Sequence, residues 1–162
     1  MAFTKEWSKW WRGFLGTSPN RDLAATEILR QRYVEEMQGI GHLTKHPHKM
    51  QYPQFREKLL HIAADKSKHA EWIAEKKAAL GGKLPEVPER RSMDENSWQS
   101  LLMALEDENC SADRLPEQLR RIGLEHPDIT KFLQEISHEQ KKHRDEIREM
   151  LMRSDPFALP LA

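Results

Sequence analysis

Apolar residues recur at steps of three and four along four long segments of the chain, which is the period of an amphipathic α-helix. The first helix is predicted from about Arg21, with Asn20 as its N-cap, to about Lys45, and the second from about Pro53 to Leu80. The third is predicted to start near Asp94 and to kink or break at Pro116. The fourth follows Pro127 and ends at Ser154-Asp155-Pro156. No segment has the alternating pattern of a strand.

Each of the four segments carries an apolar seam, meaning one row of residues that faces a common core, and polar residues interrupt every seam near its middle. The four seams are Leu29, Tyr33, Glu36, Ile40 and Leu43; Phe55, Leu59, Ile62, Lys66, His69 and Ile73; Leu101, Leu105, Glu108, Ala112 and Leu115; and Ile129, Leu133, Ile136, Gln140, His143 and Ile147. Four interruptions at one level suggest a shared polar site.

The linker between the second and third helices predicts how the helices connect. Residues 81 to 92, extended at about 3.3 to 3.6 Å per residue, span roughly 40 Å, whereas a helix of about 20 residues is about 30 Å long. The linker can therefore cross the bundle from end to end, while the turns on either side are short. The predicted fold is all-α, a ferritin-like four-helix bundle made of two hairpins joined by a crossover.

Composition excludes several classes of protein. The 162 residues suit one main domain, and the formal net charge of +0 offers no basic field for nucleic acid. The single cysteine, Cys110, rules out an internal disulfide and is expected to be buried. We find neither a run of about 18 apolar residues nor a secretory signal. The predicted location is the cytoplasm, with attachment to a membrane complex or encapsulation as alternatives.

The polar interruptions have the residue types of a metal site in which two residues are replaced. Carboxylate-bridged di-metal bundles take one Glu from each of two helices and a Glu-x-x-His pair from each of the others. Glu36 and Glu108 occupy the single-Glu positions, and His69 and His143 occupy the histidine positions. Lys66 and Gln140 stand where the two remaining carboxylates belong.

The chain resembles rubrerythrin-type members of the ferritin-like superfamily over roughly residues 21 to 156. The resemblance rests on YPQFREKLLHIAADKSKHAEWIAEKKAALGG at 52 to 82 and on ISHEQKKHRDEIREMLMRSDP at 136 to 156. Such proteins commonly bind two irons and reduce peroxide or oxidise ferrous iron. The resemblance implies a ligand set of Glu36, position 66, His69, Glu108, position 140 and His143. Positions 66 and 140 depart from it, and no CxxC pair of a rubredoxin-like domain is present.

Two interpretations of the site stay open at this stage. In the first, Lys66 replaces the metal charge and forms salt bridges with Glu36 and Glu108, so that the core needs no cofactor and has no enzymatic activity. In the second, Lys66 is displaced outward and Glu36, Glu108, His69 and His143 bind iron or another divalent metal, as in an oxidase, a peroxidase or an iron-binding protein. Glu135 and His138 also match Glu-x-x-His, but they lie off the seam and are expected in solvent.

Both ends of the chain carry apolar residues that the four seams do not use. We predict an amphipathic arm over residues 1–19, a bundle over 20–155 and an extended tail over 156–162. The partner-binding candidates are Phe3, Trp7, Trp10, Trp11 and Phe14 in the arm, and Phe157, Leu159 and Leu161 in the tail. The predicted partner is another protein or a larger complex, with a homodimer and contact of the arm with a membrane surface as alternatives.

Overall fold

A computed structural model describes residues 19–45, 47, 50, 52–89 and 96–157 of the chain. Within them lie four α-helices: α1 is Pro19–Lys45, α2 is Pro53–Ala79, α3 is Ser97–Ile122 and α4 is Pro127–Met152. The described residues contain no strand, so the all-α prediction is confirmed. None of the described helices combines the length and hydropathy that crossing a bilayer requires.

Local signals in the sequence set most of the helix ends. Proline lies in the first turn of α2 and of α4, where its missing amide hydrogen costs nothing. A capping box starts α3. The Asn96 side-chain oxygen accepts a hydrogen bond from the backbone N–H of Gln99, and the Gln99 side-chain oxygen accepts one from the backbone N–H of Asn96. Gly81, just past the end of α2, and Gly123, just past the end of α3, have φ of 77° and 64°.

Three details of the predicted helices are wrong. Asn20 is not an N-cap, because α1 already includes Pro19. The third helix begins at Ser97 rather than near Asp94. α3 also continues through Pro116 to Ile122, so of the kink or break predicted there, the break does not occur. A proline removes one backbone donor, and in α3 the turn beyond it is held by buried contacts of Gln118 and Ile122.

The linker runs along α1, which confirms the crossover. At its start, Gly82 lies beside the side chain of Thr26. Farther on, Gln38 Nε2 donates to the Pro88 carbonyl at 3.3 Å, and Lys45 Nζ lies 2.8 Å from Glu89 Oε1. Thr26 and Lys45 are separated by about 28 Å of helix at 1.5 Å per residue. The chain therefore enters the second hairpin from the opposite end of the bundle.

Two apolar clusters fill the bundle, and the polar interruptions of the seams lie between them along the chain. α1 packs against α2 and α3, and α4 packs against α3 and α2. One cluster includes Leu43, Met50, Phe55, Leu59, Ile62, Leu101, Ile147 and Met150. The other includes Ala25, Ile28, Leu29, Ile73, Leu115, Ile122, Ile129, Leu133 and Ile136. Each fully buried aliphatic side chain contributes about 1.5 to 3 kcal/mol, so these clusters hold the polar layer in place.

Candidate functional site

The four seams bring their polar residues into the interior of the bundle. The six residues that the sequence singled out are each no more than 6% exposed: Glu36, Lys66, His69, Glu108, Gln140 and His143. On α2 and α4 every predicted seam residue is buried. On α1 and α3 the buried face is turned by one residue at several positions, which places Arg32 and Ser111 in the core instead of Tyr33 and Ala112.

The Lys66 ammonium lies between the two single carboxylates. Its Nζ is 3.2 Å from Glu36 Oε2, to which it donates a hydrogen bond, and 2.5 Å from Glu108 Oε1, with which it forms an ion pair. Burial alone would raise the pKa of Glu36, but the attraction of Lys66, with help from His69, lowers that pKa to about 2. Burial alone would lower the pKa of Lys66, and the two carboxylates raise it instead. Lys66 and Glu36 therefore both carry their charges.

His69 connects the buried site to the surface. Its Nδ1 is 3.7 Å from Glu36 Oε1, and its Nε2 lies 2.7 Å from Oε2 of Glu139, a residue of α4 whose side chain is 46% exposed. Burial works against protonation of the ring, but Glu36 and Glu139 outweigh it and raise the pKa of His69. The sequence did not single out Glu139, although it precedes Gln140 directly and so borders the seam.

His143 has a more distant partner than His69, and its pKa is shifted in the opposite direction. Its Nε2 is 3.5 Å from Asp65 Oδ2 on α2, and its Nδ1 has no hydrogen-bond partner among the described residues. Burial lowers the pKa of His143, and the charge of Lys66 lowers it further, while Glu108 and Asp65 oppose these effects. The His143 ring is thus the neutral imidazole of the site. Asp65 was also missed, because it lies one position away from the Lys66 seam.

Gln140 takes part in a second buried network, which is built around Arg32. Its Nε2 donates to Ser111 Oγ at 3.0 Å. The guanidinium of Arg32, which is 1% exposed, donates to Gln118 Oε1 at 2.7 Å, to the Ser111 carbonyl at 3.0 Å and also to Ser111 Oγ. Ser111 Oγ donates in turn to Glu35 at 3.2 Å. The sequence analysis did not identify Arg32 as part of this site. Its spacing could have indicated it, since Arg32 lies four residues before Glu36 and therefore on the same helix face.

The arrangement does not suit two divalent cations. The ammonium of Lys66 occupies the space between Glu36 and Glu108, where a bridged pair of metals would need anionic oxygens. Lys66 already forms ion pairs with both of these carboxylates. Within the described ranges, no group of three or more His, Cys, Asp and Glu side chains is placed to hold a metal ion. The residues present therefore do not fit a carboxylate-bridged di-metal centre.

Other residues considered in the sequence lie outside this site. Glu135 and His138 are both exposed on α4, which confirms that this Glu-x-x-His match faces solvent. Cys110 is exposed on α3, so the prediction of its burial is wrong. It lies two positions from Glu108, and a rotation of about 100° per residue carries it away from the core. Residues 1–18 of the predicted arm, Leu159 and Leu161 lie outside the described residues, whereas Pro19 already belongs to α1 and Phe157 is 89% exposed.

Comparison with known proteins agrees with this fold. Residues 42–155 match the family model of the ferritin-like domain. No functionally curated protein matches the sequence significantly. A ferritin-like diiron-carboxylate protein of Bacillus anthracis is 18% identical with a TM-score of 0.75, and the alignment covers 83% of this chain and 99% of the other.

Two further solved structures have the same fold. The dodecameric thioferritin of Bacteroides fragilis, described as a bacterioferritin-related protein, has a TM-score of 0.71 at 14% identity, covering 82% of this chain and 86% of its own. A Dps protein of Deinococcus radiodurans has a TM-score of 0.67 at 18% identity, covering 84% and 92%. At these identities the likeness establishes the fold alone. Since the family model spans more than half of the sequence, this chain belongs to the ferritin-like domain family.

Proposed function

We propose that this chain is a rubrerythrin-like but non-catalytic ferritin-like bundle, in which the Lys66 ammonium replaces metal charge and whose role is to bind or assemble with a partner. One observation carries the proposal: Lys66 Nζ lies 3.2 Å from Glu36 Oε2 and 2.5 Å from Glu108 Oε1 in the bundle interior. The position that should supply a bridging carboxylate thus supplies a cation.

The electrostatics support a core that is stable without metal. A buried carboxylate without a counter-charge costs several kcal/mol, so Glu36 and Glu108 require a cation in any folded state. Lys66 provides it from within the chain, and the low pKa of Glu36 follows from that attraction as well as from His69. A divalent ion entering this space would first have to displace the ammonium and would then be repelled by it.

The predicted contacts are the apolar ends of the chain. Asn96 Nδ2 donates to the Pro156 carbonyl at 3.1 Å, which holds the start of the tail beside the first turn of α3. The next side chain, Phe157, is 89% exposed and is therefore accessible to a partner. The arm adds five aromatic residues within its 19 positions, and a solvated segment has no use for so much apolar surface.

A second function is favoured by a different observation. His69 Nδ1, His143 Nδ1 and Glu108 Oε2 are buried without hydrogen-bond partners among the described residues, and such atoms are potential metal ligands. With Lys66 displaced outward, Glu36, His69, Glu108 and His143 would form a reduced ligand set for iron or another divalent metal. The alternative is accordingly a metal-dependent oxidase or peroxidase of the rubrerythrin kind, or an iron-binding protein.

Metal analysis of the wild-type protein separates the two functions. The chain is expressed with added iron, manganese and zinc, purified without chelator and measured by elemental analysis together with ferroxidase and peroxidase assays. We expect less than one equivalent of any of these metals and no turnover. Two irons per chain with turnover would overturn the non-catalytic proposal.

Restoring the missing carboxylates tests the role of Lys66 directly. The double variant Lys66→Glu/Gln140→Glu should gain affinity for iron or zinc, because it supplies the two absent anionic ligands. The matched control is Gln54→Glu/Lys141→Glu, which makes the same change of charge at exposed positions on the same two helices. Metal binding equal in the double variant, the control and the wild type would reject the replacement of metal by lysine.

Substitution of the three arm tryptophans by alanine tests the partner contact. A fully buried aromatic side chain contributes about 1.5 to 3 kcal/mol, so losing three should abolish a contact of ordinary strength. We expect an unchanged melting temperature together with lost co-purification or liposome binding. Lower thermal stability with association intact would show instead that the arm packs on its own bundle.

A further inference from the structure

We propose that Gly39 is the positioning residue that admits the Lys66 ammonium to its place between Glu36 and Glu108. The inference rests on the proposed replacement of metal charge by lysine, and it adds a second residue to that replacement. Gly39 lies on α1 one turn after Glu36, so both residues face the same side of the helix.

The stem of Lys66 passes directly over Gly39. A Cβ atom on residue 39 would lie 3.0 Å from Lys66 Cδ, 3.1 Å from Cε and 3.4 Å from Nζ. Carbon atoms at optimal contact are about 3.5 to 4.0 Å apart, so an alanine here would push against the middle of the stem and not only its flexible end. The free space beside the stem is only about 10 Å³ and is lined in part by Glu108 and Ile147. The stem would have to give by a few tenths of an ångström with little space beside it, which disturbs the placement of the ammonium between the two carboxylates.

The backbone gives no other reason for a glycine at this position. Gly39 lies well inside a 27-residue helix, and the glycines with positive φ in the described chain are Gly81 and Gly123. A glycine within a helix costs roughly 0.5 to 1 kcal/mol relative to alanine, a ratio of about two- to fivefold in the folding equilibrium constant. The absence of a side chain at this position is therefore explained by the space that Lys66 requires.

The chain contains two internal controls for this inference. Gly41 is in the same helix, and a Cβ there would meet nothing within 4 Å. Lys77 is the other lysine buried among the described residues, and it passes a different glycine: a Cβ on Gly82 would lie 2.9 Å from Lys77 Cγ and 3.1 Å from its Nζ. Each buried lysine thus has its own glycine.

The reactivity of the two lysine amines tests the inference, because a buried amine is modified more slowly than an exposed one. Wild type, Gly39→Ala, Gly41→Ala and Gly82→Ala are treated in the native state with an amine-acylating reagent, and modification of Lys66 and Lys77 is followed by peptide mass spectrometry. Gly39→Ala should accelerate modification of Lys66 on the order of ten- to a hundredfold, the ratio that corresponds to overpacking of a core. Lys77 should keep its wild-type rate. Gly82→Ala should reverse the pattern, and Gly41→Ala should change neither rate.

Urea unfolding provides the second measurement. Gly41→Ala should raise the folding equilibrium constant roughly two- to fivefold, whereas Gly39→Ala should lower it. The same substitution is then made in the triple variant Lys66→Ala/Glu36→Gln/Glu108→Gln, which lacks the lysine stem and the charges of its partners. There Gly39→Ala should raise the folding equilibrium constant as much as Gly41→Ala does. This background keeps the test decisive if Gly39→Ala fails to fold when Lys66 is present.

Three results would overturn the inference. In the acylation experiment, they are a Gly39→Ala protein in which Lys66 keeps its wild-type rate of modification, and one in which Lys66 and Lys77 are both modified faster. In urea unfolding, the third is a loss of stability on Gly39→Ala that is equal with and without the Lys66 side chain. Joint reactivity would indicate general loosening of the fold. These results are independent of the metal content of wild type, so failure of the proposed function would be recognised separately.

Discussion

Replacing Lys66 by methionine should produce the largest change in stability of any substitution at the site. Methionine keeps most of the length of the stem and removes the ammonium, which leaves Glu36 and Glu108 buried without their cation. Breaking a buried ion pair by removing one partner costs about 3 to 5 kcal/mol. The pKa of Glu36 points in the same direction: burial would raise it, but the attraction of Lys66, with that of His69, lowers it from 4.5 to about 2.

The effect should depend on pH with a defined sign. In wild type the pKa of Glu36 is lowered, so its contribution to stability is present above the unfolded pKa of 4.5 and is lost as pH falls through about 2. In Lys66→Met the attraction of the ammonium is gone, so burial raises the pKa of the stranded Glu36. Stability of the variant should therefore fall as pH rises, and the deficit relative to wild type should be largest at neutral pH and smaller near pH 4.

Urea unfolding followed by circular dichroism from about pH 4 to about pH 8 measures both effects. The control is Lys77→Met, because Lys77 Nζ donates to the Thr26 carbonyl at 3.3 Å and burial lowers the pKa of Lys77. That change should alter stability by no more than about 1 kcal/mol, with no growth toward neutral pH. A Lys66→Met deficit below about 1 kcal/mol at neutral pH, or one that is independent of pH, would refute the reasoning.

Three further predictions concern the surroundings of the site. Ser111→Ala should lower the free energy of unfolding in urea by on the order of 2 to 4 kcal/mol, because buried donors of the second network lose their acceptor. Its control, Ser67→Ala, loses one hydrogen bond to a backbone carbonyl and should lower that free energy by about 1 kcal/mol. Glu139→Gln should lower the pKa of His69 in an NMR titration of its ring; an unchanged pKa would contradict the contact. The raised pKa in wild type means that the His69 contribution to stability is full below its ordinary value of 6.5 and is lost as pH rises through the folded value, so this loss should shrink in the variant. Cys110→Ser should change stability by less than about 0.5 kcal/mol, and the native thiol should react with a thiol reagent, as an exposed position requires.

The sequence alone determined the helices and the way they connect. Helical periodicity is a local property, and proline and glycine affect the backbone only within about one turn. Both signals can therefore be interpreted from the sequence without knowing which helices pack against each other. On α2 and α4 the seams were correct at every position, because polar residues flank a narrow apolar row. The linker length likewise predicted the crossover, since a chain cannot exceed its extended reach.

Prediction was less accurate where two neighbouring residues could both face inward. On α1, Tyr33 has the apolar side chain, yet Arg32 is the more deeply buried residue. A difference of one position is only about 100° of rotation, and the face that is buried depends on where α2 and α3 pack. The bonds from Arg32 to Ser111 and Gln118 join positions 79 and 86 residues apart, separations over which periodicity carries no information.

The tertiary structure alone decided what Lys66 does. Its position on the seam was visible in the sequence, but a flexible four-carbon stem can direct an ammonium inward or out to solvent. The packing of α1 against α2 placed Gly39 opposite that stem and brought Glu36 and Glu108 to either side of Nζ. Pairing of buried charges depends on distances across helices, and only the packed bundle sets those distances.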